Sequence, residues 1–149
     1  MTKLFGKMRS QRLLKLYRER RYPELNAKIF SLAKKFPNDF FIHNLGGIVA
    51  AQTQLNDRAI KHLKRAMAIK PDAIEPFINM GYLNLNMNKP KEALSAFLHA
   101  QSLDRENVEA QIGRGLALQS LEQYQKSNEV FRTIQKTAPN DHRIFFHIG

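Results

Sequence analysis

Apolar residues return along this chain in two interleaved patterns, each helical in its own spacing and repeated at one interval. Ile29, Leu63, Phe97 and Phe131 stand 34 residues apart, and Leu32, Ala66, Ala100 and Ile134 follow three residues later. Four residues before the large side chains come Leu25, Ala59, Ala93 and Ser127, small except for Leu25. Steps of three and four place all of these on one face of one helix. The second pattern sets Leu13, Gly47, Gly81 and Gly115 in register, with Leu16, Ala50, Asn84 and Leu118 three residues on. Glycine weakens a helix, so its return at one register predicts close approach between neighbouring helices. Small positions are expected to face large ones.

Punctuation keeps the same step. Pro37, Pro71 and Pro139 fall in one register, with Arg105 in the remaining place, and Gly149 continues the glycine series. A fixed period of this length predicts stacked units, each needing a neighbour to bury its apolar face. Pro37-Asn38-Asp39, Pro71-Asp72 and Pro139-Asn140-Asp141 each stop one helix and offer caps for the next. Pro23 and Pro90 suit a first helical turn, and Asn88 suits the left-handed residue that ends a helix. Helices are predicted over 9–20, 23–36, 40–53, 57–70, 74–87, 90–103, 108–121 and 125–137.

On these residues the chain resembles the tetratricopeptide (TPR) repeat family. The best copies read His43-Asn44-Leu45-Gly46-Gly47 with Ala59, Ala66 and Pro71, and Phe77-Ile78-Asn79-Met80-Gly81 with Ala93, Ala100 and Arg105. Repeats are assigned to 6–39, 40–73, 74–107 and 108–141, with a partial repeat or cap at 142–149, all within one domain. The first repeat departs from the pattern at Arg9 and Leu13, where an aromatic and a glycine are usual. The resemblance implies an all-α, right-handed α-solenoid of about four helical hairpins. It also implies a concave groove lined by the first helix of each repeat. Mapped onto this chain, the groove residues are Tyr17, Arg18, Asn44, Ile48, Gln52, Ile78, Tyr82, Asn86, Ile112 and Gln119. The amides suit the backbone of an extended peptide and the apolar residues supply pockets. The carboxylate clamp of co-chaperone repeats is absent, since Ser10, Leu14, Leu45, Glu75 and Asn79 stand in its places.

Charge changes the picture at one end. The 149-residue chain carries a formal +11, yet eleven of its 24 basic residues and two of its 13 acids lie within residues 1–35. That excess of nine positive charges is read first as a solvated terminal repeat, and it also suits phosphate, an anionic membrane face or an acidic protein segment. An acidic partner is therefore an expectation for the first repeat, with nucleic acid placed behind it. The apolar residues Leu4, Phe5, Met8, Leu13, Leu16 and Tyr17 are expected to pack on the second helix, not to lie on a membrane. No cysteine is present, which excludes a disulfide framework and a thiolate metal site and fits a cytoplasmic location. No apolar run of about 18 residues exists to span a membrane.

Catalytic chemistry has little to rest on. His43, His62, His99, His142 and His147 form no metal-ligand spacing, and Gly113-Arg114-Gly115 is too short for a phosphate loop. Neither catalytic residue, metal nor cofactor is expected. The leading expectation is a protein–protein interaction scaffold holding a peptide or partner helix. The alternative is the N-terminal repeat segment of a larger bacterial glycosyltransferase or sulfotransferase, because the stretch from Leu13 to Phe40 resembles the opening of such proteins. The apolar residues Phe145, Phe146 and Ile148 lead to an expectation that the polypeptide continues, and to self-association through 142–149 as a further one.

Overall fold

Four left-handed backbone positions recur at the repeat interval and turn the chain into four hairpins. Arg20, Gln54, Asn88 and Glu122 have φ of 55°, 59°, 56° and 59°. At the first of them the Arg21 amide donates to the Leu16 carbonyl and the Arg20 amide to that of Tyr17, both at 3.0 Å. The same pair recurs at Leu55 to Ala50, Lys89 to Asn84 and Gln123 to Leu118, with the inner bond beside each. This is the Schellman closure, which satisfies carbonyls left over at a helix end. Asn88 was legible as such a residue. Arg20, Gln54 and Glu122 were not, because the bond pattern imposes the conformation on side chains that disfavour it.

The computed structural model describes residues 2–139, with side chains from Gly6 onward. In chain order the helices are α1 (Thr2–Arg18), α2 (Tyr22–Lys35), α3 (Phe40–Gln52), α4 (Asn56–Ile69), α5 (Glu75–Asn86), α6 (Pro90–Leu103), α7 (Val108–Ser120) and α8 (Tyr124–Thr137). No strand occurs among the described residues, and the fold is the all-α hairpin repeat the sequence predicts. No helix among them is long and apolar enough to cross a membrane. Segment 142–149, with its expected role in capping or self-association, lies outside the described residues. Contacts divide the chain into two compact units, residues 1–71 and 72–149, and the division falls close to an expected repeat boundary.

Two expectations need correction. The first helix begins at Thr2, not at residue 9: no proline interrupts residues 2–8, Gly6 faces open space, and the Ser10 hydroxyl donates to the Gly6 carbonyl at 3.1 Å. Asp72 does not cap α5. Asp39 and Asn107 accept from the Ile42 and Ala110 amides at 3.1 and 3.0 Å, whereas the same register in the third repeat holds Ala73. There the helix opens on Ile74 without a side-chain cap, with Pro76 in its first turn.

Within the second, third and fourth hairpins the glycine register meets the large residue of the partner helix. A Cβ on Gly47 would lie 2.5 Å from Leu63, on Gly81 2.5 Å from Phe97, and on Gly115 2.5 Å from Phe131. Gly113 approaches Phe97 more closely still, so two glycines enclose one fully buried ring. Burial of such a side chain contributes roughly 1.5–3 kcal/mol. In unit 1, Leu13, Leu16, Leu25, Ile29, Ile42, Leu45 and Val49 form one buried cluster. In unit 2, one cluster centres on Phe97 and another on Phe131 with Ile112, Leu118 and Ile134. Ser127 fills its small position fully buried and donates to the Gly115 carbonyl at 2.9 Å. With Leu13 and Leu25 at the crossing where the other hairpins have glycine and a small residue, α1 and α2 approach less closely than α3 and α4.

Gly113→Ala is expected to lower stability by about 1–3 kcal/mol, since Phe97 has no free side to move into. Gly6→Ala, with nothing around it, is expected to gain roughly 0.5–1 kcal/mol. Urea unfolding followed by far-UV circular dichroism measures both. Replacing Arg20, Gln54 or Glu122 by glycine relieves the left-handed strain and is expected to stabilise by about 0.5–1 kcal/mol each. A loss of stability at all three in the same titration would contradict the assignment of these turns.

Candidate functional site

The expected groove residues sit on the first helix of each hairpin, and helical spacing aligns them. Asn44, Ile48 and Gln52 follow one another at steps of four along α3, as Ile78, Tyr82 and Asn86 do along α5. Arg18, Gln52 and Asn86 are exposed, while Tyr17, Asn44, Ile48, Tyr82 and Gln119 are half-buried. Ile78 and Ile112 belong to the cores, with 8% and 4% of their surface exposed, so packing is what they visibly do.

Unit 2 brings two of these first helices together, and a hydrogen bond links them. The Tyr82 hydroxyl donates to Glu109 Oε1 at 2.6 Å, and the Tyr82 ring meets Phe97 edge-on with centroids 5.1 Å apart. Tyr82 is thereby held upright between its own hairpin core and α7, with its polar tip satisfied. In unit 1, Tyr17 packs on the core and against Tyr22 at 5.9 Å between ring centroids.

Much of the basic charge of the first repeat is already engaged. Arg9 pairs with Asp39, the same residue that caps α3, and lies 4.1 Å from the centroid of the Phe36 ring. That contact accounts for an arginine where the repeat usually carries an aromatic. Arg21 pairs with Glu19 and Glu24, Lys28 with Glu24 at 3.7 Å, and Lys15 with Glu19 at 3.9 Å. Those two carboxylates raise the pKa of Arg21, Glu19 foremost. Lys7, Arg12 and Arg18 make no ion pair among the described residues. A cleft of about 450 Å³ opens between α1 and α2 over Leu13 and Leu32, with Arg9, Arg12 and Lys28 around it.

Sequence reading placed His43 in packing and attached no role to His62. The structure joins them. His43 Nδ1 and His62 Nδ1 are 3.1 Å apart, and His43 Nε2 lies 3.1 Å from the Pro37 carbonyl. A carbonyl only accepts, so His43 carries its proton on Nε2 and receives one from the Nδ1–H of His62. Burial lowers both pKa values. For His43 the Pro37 bond opposes that effect and the Arg65 charge adds to it; for His62 the neighbouring His43 and Arg58 add to it, bringing it to about 4. Gly46 makes room for the pair, since a Cβ there would come within 2.9 Å of the His62 ring. No group of three or more His, Cys, Asp or Glu residues suited to a metal ion occurs among the described residues.

These hairpins define a class: an all-α repeat protein whose first helices carry half-exposed polar and apolar side chains. Residues 74–107 match the tetratricopeptide repeat family. The protein O-mannosyl-transferase TMTC3 of Homo sapiens is 33% identical over 78 residues, 52% of this chain and 8% of the relative's length. The crystal structure of MamA superposes with a TM-score of 0.80 at 19% identity, covering 90% of this chain and 78% of that one. The first TPR of Spaghetti (RPAP3), bound to the HSP90 peptide SRMEEVD, gives 0.69 at 18% identity, covering 73% and 86%. The fold of this chain is that of these tetratricopeptide-repeat structures.

A buried His43 and a half-buried His62, both with lowered pKa, set a pH dependence for unit 1. Between about pH 4 and 6.5 the unfolded chain holds a proton on His62 that the folded chain does not, so stability rises with pH there. Stability is expected to be complete above that window and to fall as the pH drops through it. His62→Gln should flatten part of this slope when urea midpoints are compared across the window. An unchanged slope would remove His62 as its source.

Proposed function

We propose that the chain is a non-catalytic scaffold that holds a peptide or partner helix against the first helices of its repeats, in the cytoplasm. The observation that carries this reading lies within each unit: side chains at steps of four along α3 in unit 1 and along α5 in unit 2, with Gln52 and Asn86 exposed at their ends. Amides there can bond an extended backbone while Ile48 and Tyr82 offer apolar contact. The peptide bound to the Spaghetti repeat supports the reading as a use to which this fold is put. Arg18 and the unpaired cations of the first repeat favour a partner carrying acidic residues.

A second reading is favoured by one observation, the match to an O-mannosyl-transferase. In it, these repeats are the binding segment of a longer transferase and serve its substrate or partner proteins. The match spans a small part of that relative, so its activity is not carried over. Sequencing the reading frame on both sides of the chain distinguishes the two readings.

Arg18→Glu, Gln52→Ala and Asn86→Ala combined in one variant should keep the fold, because all three side chains are exposed. Tagged wild-type chain is expected to retain a discrete partner from its native lysate, and the triple variant to lose it. Equal capture by both, with equal circular dichroism spectra, would refute docking on the first helices.

A further inference from the structure

A second cleft lies between the second helices of the hairpins in unit 1, and none of the first-helix residues proposed above lines it. Its volume is about 360 Å³, near the lower end of the range for ligand pockets. Phe30, Ala33 and Lys34 come from α2, Arg58, Lys61 and His62 from α4, and His43 of α3 forms the floor. Unit 2 repeats this architecture between α6 and α8, with a cleft of about 490 Å³. Two repeat lengths after Ala33, His43, Arg58, Lys61 and His62 come Gln101, Gln111, Lys126, Glu129 and Val130, all lining that second cleft. The cleft is thus a recurrent product of the fold, and the side chains decide what it accepts.

In unit 1 those side chains have one character. Phe30 leaves 52% of its surface exposed, with the Lys34 ammonium 4.2 Å and the Arg58 guanidinium 5.9 Å from the ring centroid. Lys34, Arg58 and Lys61 make no ion pair among the described residues, and no carboxylate lines the cleft. The equivalent of Lys61 in unit 2 is Glu129, which balances charge there. Because His62 gives its Nδ1–H to His43, its Nε2 retains a lone pair and can accept from a ligand N–H. The cleft therefore combines an apolar ring, three cations and one acceptor.

We propose that the α2–α4 cleft docks an acidic peptide segment of a partner protein. An apolar side chain of that segment rests on Phe30, and flanking carboxylates meet Lys34, Arg58 and Lys61. Charge complementarity selects the acidic character, and the exposed ring selects the apolar anchor. Single-stranded nucleic acid also seeks cations and aromatic rings. Here the His62 Nε2 acceptor suits a backbone N–H, which every peptide residue but proline carries and a sugar–phosphate backbone lacks, so the peptide is favoured. The proposal stands apart from the first-helix reading, since the two use different residues.

The test pans a random dodecapeptide library against the immobilised full chain at physiological salt. Fluorescence anisotropy then measures the recovered peptides against wild type and three variants. Recovered peptides are expected to pair acidic residues with an aromatic or aliphatic one. Phe30→Ala and the double variant Arg58→Glu/Lys61→Glu should each weaken binding by about tenfold or more. Gln52→Ala/Asn86→Ala should bind as wild type does, which separates this site from the first-helix face. Amide shift mapping on the wild-type chain supplies a second readout, with changes expected around Phe30 and His62. Recovery of no acidic peptide, equal binding by the charge-reversed variant, shifts confined to α3 and α5, or tighter binding of oligo(dT) at the same salt would overturn the proposal.

Discussion

Every hairpin from the second onward rests on one close crossing, in which a glycine of the first helix receives the large side chain of the second. Gly47 takes Leu63, Gly81 takes Phe97 and Gly115 takes Phe131, each with room for no further carbon. From this constraint the rest follows. Close backbones let Ala59, Ala93 and Ser127 lie fully buried beside the ring or branch, and bring Leu83, Ala117 and Leu118 into the same packing. The first hairpin shows what happens without it. Leu13 and Leu25 keep α1 and α2 apart, and an apolar-floored cleft opens between them.

Hairpin closure comes from backbone bonds and owes little to side-chain identity. Four left-handed residues with the same two hydrogen bonds bear an arginine, a glutamine, an asparagine and a glutamate. Only the asparagine is locally suited. Between hairpins the reverse holds: Asp39 and Asn107 cap by side chain, and Arg65 donates from its Nε to the Pro37 carbonyl at 3.1 Å, tying the connecting turn to α4. Side-chain caps thus mark the joints before α3 and α7, while backbone bonds close the turn within each hairpin.

Charge and packing meet in unit 1. Several cations of the first repeat are spent on neighbours: Arg9 on Asp39 and Phe36, Arg21 on two glutamates. The exposed Arg21 pairs add little stability. What they do is leave a smaller, defined set of free cations, some beside an exposed aromatic ring. A composition of +11 says only that anions are attracted; the placement of Lys34, Arg58 and Lys61 around Phe30 says where an apolar anchor can join them.

Periodicity alone determined the fold, because a repeated step of 34 residues multiplies a weak helical signal and fixes which positions face one another. Apart from the start of α1, it also determined helix ends within a few residues, since proline and capping residues act locally. The groove residues were legible only as register positions: the spacing aligned Asn44, Ile48 and Gln52, but could not tell that Ile78 and Ile112 are drawn into the cores. Gly113 against Phe97, the Tyr82–Glu109 bond, the His43–His62 pair and the α2–α4 cleft were decided by tertiary structure. Each joins residues from different helices, and which atoms meet there depends on how closely the backbones pack, a distance that no single helix encodes.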